Sequence, residues 1–354
     1  MNSLNYIGSK KTLFNTILNI CNDNIDNLST KHFADLFSGT GIMSYNFSTY
    51  FASISANDME YYSYIIINAL IKCNYTDKLQ NIIDNLNKLN INDLNDKNNL
   101  IYTNFSPHEN CERMFFTIEN AKKCDICRYN IEQLFQNNQI NQNEYYYLIA
   151  SLLVSIDKVA NTSSVYGAYL KQFKKSALKP LIIIPIHKKT TLNITNNKCY
   201  NQDINELIKQ HTFDIVYLDP PYNGRQYSSN YSPLNYIALY DSTINLTGKT
   251  GLIQNYNKSN FCSKVKVKKS FEDLFNNLNC NYILLSYNNE GLLNCNELTE
   301  LLLQKGDVKL YKIKYKKFKA QQAVDIDNVY EYLFYINCLE KNNNFKEIIY
   351  ELVN

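Results

Sequence analysis

The sequence predicts an α/β fold: a doubly wound, mostly parallel sheet of the nucleotide-binding kind, with an antiparallel closing hairpin and a long, largely helical insertion. Three observations carry this. Strand, glycine turn, helix, strand and helix follow one another between Phe33 and Lys72, the order of half a doubly wound sheet. Far downstream, Ile215-Val216-Tyr217-Leu218 has the continuous apolar character of a parallel strand covered on both faces, and it stops at Asp219-Pro220-Pro221-Tyr222. The long stretch between them is dominated by helical spacing.

The first strand is Phe33-Ala34-Asp35-Leu36-Phe37, followed by the turn Ser38-Gly39-Thr40-Gly41 and a helix through Ile42, Met43, Tyr45 and Phe47. The two glycines let the backbone approach a ligand closely, although a G-x-G alone serves equally as a structural turn. Asp58 raises its value. It ends the second strand, Ile54 to Asp58, where an acid accepts ribose hydroxyls in doubly wound nucleotide sites, or caps the apolar helix from Tyr61 to Lys72. Ahead of these elements, Tyr6-Ile7-Gly8-Ser9-Lys10 leads into a helix near Thr12, and Lys10 is either a surface lysine or a partner for a ligand carboxylate.

The Asn-dense stretch from Asn81 to Asn99 keeps Ile82, Leu86 and Leu89 at helical spacing, which predicts a helix with a polar face and a loop after it. Helices are expected around Cys111–Ala121, Cys124–Phe135 and Tyr145–Val159, then a turn-rich segment from Asn161 to Tyr169. Strands resume at Leu181–Ile186 and around Cys199–Tyr200. Asp203 follows the latter, either capping a helix at Ile204–Lys209 or accepting the amino group of an adenine ring. Tyr282–Tyr287 is a further buried strand, and Lys309–Tyr315 with Tyr330–Ile336 alternate as an antiparallel hairpin. Residues 1–77 and 196–354 therefore form one sheet domain, and 78–195 an inserted unit.

The turn at Asp219 has the most direct chemistry. Neither proline donates a backbone N–H, and each restricts the residue before it, so strand pairing ends at once. An acid, bare carbonyls and an aromatic ring then project into the crevice at the sheet's carboxyl edge, where ligands bind in open α/β sheets. That slot suits a planar base with an exocyclic amino group. The amino nitrogen's lone pair is delocalised into the ring, and a carboxylate of ordinary pKa, about 4, cannot usefully deprotonate it. Asp219 instead accepts one N–H while the Pro220 carbonyl accepts the other, and Tyr222 stacks on the base. A base inside a duplex must be flipped out to reach such a slot.

Composition narrows the setting. The 354 residues are 45% hydrophobic, ordinary for a globular chain, and contain no apolar stretch of membrane-spanning length. The N-terminus lacks a signal-peptide pattern, and ten cysteines without a regular framework read as reduced thiols. The expected location is the cytoplasm of a bacterial or virus-infected cell. Cys124-x-x-Cys127 lacks a second pair and predicts no structural zinc. Net charge is only +3, but lysines cluster at 171, 174, 175 and 179, at 264, 266, 268 and 269, and at 312, 314, 316, 317 and 319. They are either solvated faces or a converging phosphate-binding surface.

Taken together, these motifs closely resemble the Dam-like, alpha-group DNA adenine-N6 methyltransferases that use S-adenosylmethionine, with the cofactor loop first and the catalytic motif after a long insert. The resemblance implies a Rossmann-like methyltransferase sheet with Tyr6, Lys10, Asp35, Phe37, Gly39, Gly41, Asp58 and Asp203 in the cofactor site. It makes Asp219, Pro220 and Tyr222 catalytic and the insert a target-recognition domain. Arg225, Tyr227, Asn230, Lys171, Lys174 and Lys175 are expected to contact DNA. Asp35-Leu36-Phe37 lacks the proline that many relatives carry after the acid. Val159–Tyr169 and Tyr222–Tyr227 are similar to modification enzymes of type II restriction systems acting on short palindromes such as CATG. The implied partner is double-stranded DNA, with a monomer, no metal and no membrane, and a restriction endonuclease as a genetic partner only. Cytosine-C5 chemistry is disfavoured because no Pro-Cys pair occurs; cytosine-N4 enzymes usually carry serine in place of Asp219. The remaining alternatives are an RNA adenine methyltransferase and an inactive DNA-binding regulator.

Overall fold

The computed structural model describes residues 1–8, 10–93, 99–314 and 330–350. Ser9, Tyr315, Lys316, Lys317 and Lys319, which belong to a motif, a strand and a lysine cluster expected from the sequence, lie outside the described residues. A 3-10 turn at Lys10–Leu13 opens helix α1 (Phe14–Asn24). Then come β1 (His32–Asp35), α2 (Ile42–Phe47), β2 (Ser53–Asn57) and α3 (Tyr61–Ile71). Four helices follow: α4 (Asp77–Lys88), α5 (Leu100–Phe105), α6 (Ile118–Gln136) and α7 (Gln142–Lys158). The sheet resumes with β3 (Lys198–Tyr200), α8 (Ile204–Leu207) and β4 (Thr212–Leu218). Helices α9 (Tyr227–Asn230) and α10 (Ser232–Leu239) precede a small ribbon of β5 (Leu246–Thr247) and β6 (Leu252–Ile253). The chain closes through α11 (Val267–Asn277), β7 (Asn279–Asn288), α12 (Cys295–Leu303), β8 (Asp307–Lys314), β9 (Tyr330–Asn337) and β10 (Phe345–Tyr350).

The main sheet has the order β10-β8-β9-β7-β4-β1-β2-β3. Strands β3, β2, β1, β4 and β7 are parallel, and β9 runs antiparallel between β7 and β8. Side chains alternate between its two faces, as period-2 geometry requires. Phe33, Ile215 and Tyr217 join the core under α2, α3 and α7, whereas Ala34, Val216 and Leu218 join a second core under α8, α11 and α12. Strand β10 pairs parallel to β8 and carries mostly exposed or half-buried side chains. An edge strand of that kind has no apolar alternation by which a sequence pattern would reveal it.

Two expected elements differ. Residues 181–186 form no strand. Leu181, Ile183 and Ile186 point inward, but the N–H groups of Leu181 and Ile183 donate to the side-chain oxygens of Asn120 and Asn87, each at 2.8 Å. Those of Ile184 and Ile186 donate to Ser155 and Ser151 Oγ. Pro180 and Pro185 interrupt ladder pairing, so helices α4, α6 and α7 satisfy this extended strap with side chains instead. The helices expected around Cys111–Ala121 and Cys124–Phe135 are one helix, α6, which starts only at Ile118 because Thr117 caps it, its hydroxyl accepting from the Asn120 N–H at 3.2 Å. The segment before it is an isolated bridge between His108 and Cys111.

Helices α4, α6 and α7 share the α3 and α10 core. Buried Arg128 on α6 fixes that junction, donating to the Ile237 and Ala238 carbonyls at the end of α10 and to Tyr145 and Glu132. Asp125, one turn earlier, accepts the Ile101 and Tyr102 N–H groups at 2.8 Å and the Tyr240 hydroxyl at 3.1 Å. Cys124 and Cys127 are packed in the same core. Among the described residues, no group of His, Cys, Asp and Glu could hold a metal ion, and no helix is long and apolar enough to cross a membrane.

Candidate active site at the carboxyl edge of the sheet

Four adjacent parallel strands each end in an acid at one edge: Asp203 after β3, Asp58 after β2, Asp35 at the end of β1 and Asp219 after β4. The strand order reverses between β1 and β4, the place where an open sheet leaves a crevice. All four acids line one cavity, with about 950 Å³ of empty space including its mouth. Phe37, Ile42, Met43, Ile204 and Phe261 supply apolar lining.

The glycine turn enters this cavity from β1. Gly39 and Gly41 have φ of +50° and +69°, a left-handed backbone that disfavours other residues. A Cβ on Gly39 would sit 3.0 Å from the Tyr6 ring, and one on Gly41 2.8 Å from Ile67. Asp58 holds the turn: Oδ2 accepts the Gly39 N–H and Oδ1 the Glu60 N–H, at 2.7 and 2.8 Å. Burial nevertheless pushes its pKa up to about 6. Asp35 is more deeply enclosed. Its Oδ2 accepts from the Ser44 hydroxyl at 2.7 Å and N–H at 3.2 Å, while Oδ1 has no partner among the described residues. Burial raises its pKa to about 7 against the opposing Ser44 hydrogen bonds. Asp203 caps α8 through the Asn205 N–H at 2.8 Å and also lines the cavity. Tyr6 packs against both Tyr231 and Tyr227, with centroids 4.8 and 5.4 Å away.

In the same cavity wall, Lys10 Nζ lies 3.0 Å from Asp219 Oδ1 and 3.1 Å from Glu331 Oε1. The Lys10 ammonium, expected to face a ligand carboxylate, is thus held by two of the protein's own carboxylates. Burial works against its charge, but Asp219 and Glu331 outweigh burial and hold its pKa well above the ordinary lysine range. Burial raises the Asp219 pKa, opposed by the Lys10 charge and hydrogen bond. Tyr222 turns edge-on to Tyr287 at 6.2 Å, and Lys10 Nζ stands 5.3 Å from its ring centre.

The residues expected to touch DNA are not gathered so closely. Tyr227 lines the cavity, Arg225 is exposed just outside the turn, and the Asn230 carbonyl accepts the Tyr166 N–H at 2.8 Å. Lys171 and Lys175 are exposed, whereas Lys174 donates to the Thr162 carbonyl at 2.6 Å. None of the three lysines lines the cavity.

Two site residues escaped the sequence reading. Glu331 is a half-buried acid in the otherwise apolar and aromatic run Tyr330–Ile336, and that exception to alternation was its only signal. Glu60 is buried two residues after Asp58. It accepts from the Ser228 hydroxyl and, at 2.6 Å, from the Asn235 amide, joining the second acid's loop to α9 and α10.

The profile of the D12 class N6 adenine-specific DNA methyltransferase family matches residues 6–301. The chain is 42% identical to the type II methyltransferase M.NlaIII of Neisseria lactamica, over 96% of its own length and 99% of that protein. It is also 42% identical to M.CviAII of Paramecium bursaria Chlorella virus 1, over 95% and 99% of the two chains. It is 38% identical to M.FokI of Planomicrobium okeanokoites, over 94% of this chain and 52% of that larger one.

Proposed function

The chain belongs to the D12 class of N6 adenine-specific DNA methyltransferases, and from that premise we propose a division of labour among its residues. The observation that carries it is the single cavity running from the Gly39 turn to Asp219, lined by all four strand-end acids.

The Gly39 end suits S-adenosylmethionine. Asp58 and Asp203 offer acceptors for ribose hydroxyls and a purine amino group, Phe37 and Phe261 offer apolar contact, and the open Gly39 backbone admits close approach. The unpartnered Asp35 oxygen adds one more acceptor in the same wall. When bound, S-adenosylmethionine supplies an activated methyl group.

The Asp219 end takes the adenine. Asp219 accepts one N6 hydrogen and the Pro220 carbonyl the other, which draws the nitrogen towards tetrahedral geometry and exposes its lone pair. A carboxylate has about four acceptor positions, so the bond to Lys10 leaves capacity for the substrate. As positive charge develops on N6, Asp219 stabilises it, a preorganised electrostatic role and not general-base catalysis. Tyr222 packs on the base face. The base reaches this slot only when flipped from the duplex.

Residues 78–195 form the target-recognition unit in this reading, with Arg225, Tyr227, Asn230 and the 171–175 lysines on the DNA side. The type II names of the relatives support a modification enzyme paired genetically with a restriction endonuclease; its place is the cytoplasm and its target a short palindrome such as CATG in this reading. The enzyme acts as a monomer. Purified protein is expected to transfer labelled methyl from S-adenosylmethionine to duplex DNA as N6-methyladenine. Methylation-sensitive sequencing of DNA from expressing cells then reads base and site together. Equal transfer to RNA, or none to DNA, would overturn the proposal. Exchanging residues 78–195 for those of a relative with another site is expected to change the sequence methylated and not the atom.

A further inference from the structure

We propose that Glu331 is a positioning residue for methyl transfer: it shares the Lys10 ammonium with Asp219 and so keeps the Asp219 carboxylate an effective acceptor for the target amino group. The inference rests on the Asp219 role proposed above.

A lysine beside Asp219 poses an electrostatic problem. An acceptor that must stabilise positive charge on N6 is weakened by an ammonium 3.0 Å away, and inside a protein wall such a charge is poorly screened. Lys10 is 6% exposed. With Asp219 as its sole carboxylate partner, the pair would be neutral, and the field at N6 would lose most of its negative source. Glu331 changes the count. Its Oε1 is 3.1 Å from Nζ, so two carboxylates share one ammonium and the trio carries a net negative charge when all three are ionised.

Sheet topology allows this. A parallel strand at this position would end at the carboxyl edge and begin at the opposite one. Strand β9 is antiparallel, so its start faces the end of β7, with Glu331 paired to Asn288. The hairpin therefore delivers a side chain to the same edge as Asp219, two strands away. Glu331 also lies beyond the family-matched residues 6–301, so it is absent from the motifs by which the chain is recognised. The burial of all three groups fits one coupled unit. Burial raises the Glu331 pKa; Lys10 opposes the rise and Asp219 adds to it. Among the described residues, Asp35 on β1, Tyr217 at the end of β4, Tyr222 and Tyr227 are the other titratable groups interacting with Asp219 or Lys10, and none is cationic.

The test uses the full-length enzyme, single-turnover methylation of duplex DNA and a pH profile. Glu331→Gln keeps shape and removes charge. It is expected to slow the single-turnover step at least tenfold, leave the dissociation constants for S-adenosylmethionine and DNA within twofold, and move the acid limb of the rate profile to lower pH. Glu331→Asp restores the wild-type acid limb. In a Lys10→Gln background, where there is no ammonium to share, the same Glu331→Gln change is expected to slow transfer less than twofold. An unchanged rate and acid limb in Glu331→Gln, or equal slowing with and without Lys10, overturns the inference. If Glu331→Gln fails to fold, a Glu331→Asp enzyme with a shifted acid limb overturns it equally. An active Asp219→Asn enzyme defeats the Asp219 role itself, whereas an inactive one beside an unaffected Glu331→Gln enzyme defeats the Glu331 role alone.

Discussion

The backbone N–H of Gly39 donates to Oδ2 of Asp58 across 2.7 Å, tying the glycine turn after β1 to the acid after β2. The other Asp58 oxygen takes the Glu60 N–H, so one carboxylate sets the shape of the cofactor end from both sides. Hydrogen bonds to charged groups contribute about 1.5–3 kcal/mol. Asp58→Ala is therefore expected to weaken S-adenosylmethionine binding roughly ten- to a hundredfold by that same energy, read by titration calorimetry. An unchanged dissociation constant would falsify a cofactor role for this acid.

Asp219→Ala separates chemistry from binding. The residue pairs with Lys10 and makes no contact with the Gly39 turn, which Asp58 holds, so the variant is expected to bind S-adenosylmethionine within a fewfold of wild type. Methyl transfer should fall by about a hundred- to a thousandfold, as loss of a main electrostatic stabiliser implies. Loss of cofactor binding would show that the acid belongs to the other end of the cavity.

Asp35 gives stability a pH dependence of predictable sign. Burial holds its folded pKa at about 7, whereas the unfolded carboxyl titrates near 4. Between those values the native state holds more protons, so its contribution falls as pH rises through that window and is fully present below it. Asp35→Asn keeps an oxygen for Ser44 and removes the titration. Thermal midpoints of the variant are expected to vary less between pH 5 and pH 8 than those of wild type. Parallel curves would place the pH dependence elsewhere, Glu60 and Asp125 being the next groups raised to about 7.

Arg128 ties the helical insertion to α10. Its removal orphans the Ile237 and Ala238 carbonyls and strips Glu132 and Tyr145 of a donor. Breaking a buried charged network in this way costs about 3–5 kcal/mol, so Arg128→Ala should lower the urea midpoint markedly. A loss below about 1 kcal/mol, the size of an exposed pair, would mean the junction rests on apolar packing alone.

The sequence by itself determined the sheet's central strands and the acids that end them. Asp35, Asp58 and Asp219 each follow an apolar or alternating run and Asp203 a short mixed one, and strand polarity puts all four at one edge. That information is local, carried by periodicity, paired glycines and prolines. Tertiary structure decided what such patterns cannot hold. Leu181–Ile186 has a strand's continuous apolar run, but Asn87, Asn120, Ser151 and Ser155 from three helices take its hydrogen bonds. Lys10 reads as a free cation in its motif, and only folding brings it between an acid 209 positions away and another 321 away, by the numbering of the pairs. Local sequence records what a segment prefers; the partner of a buried charge is settled by strand order and direction, which no single segment contains.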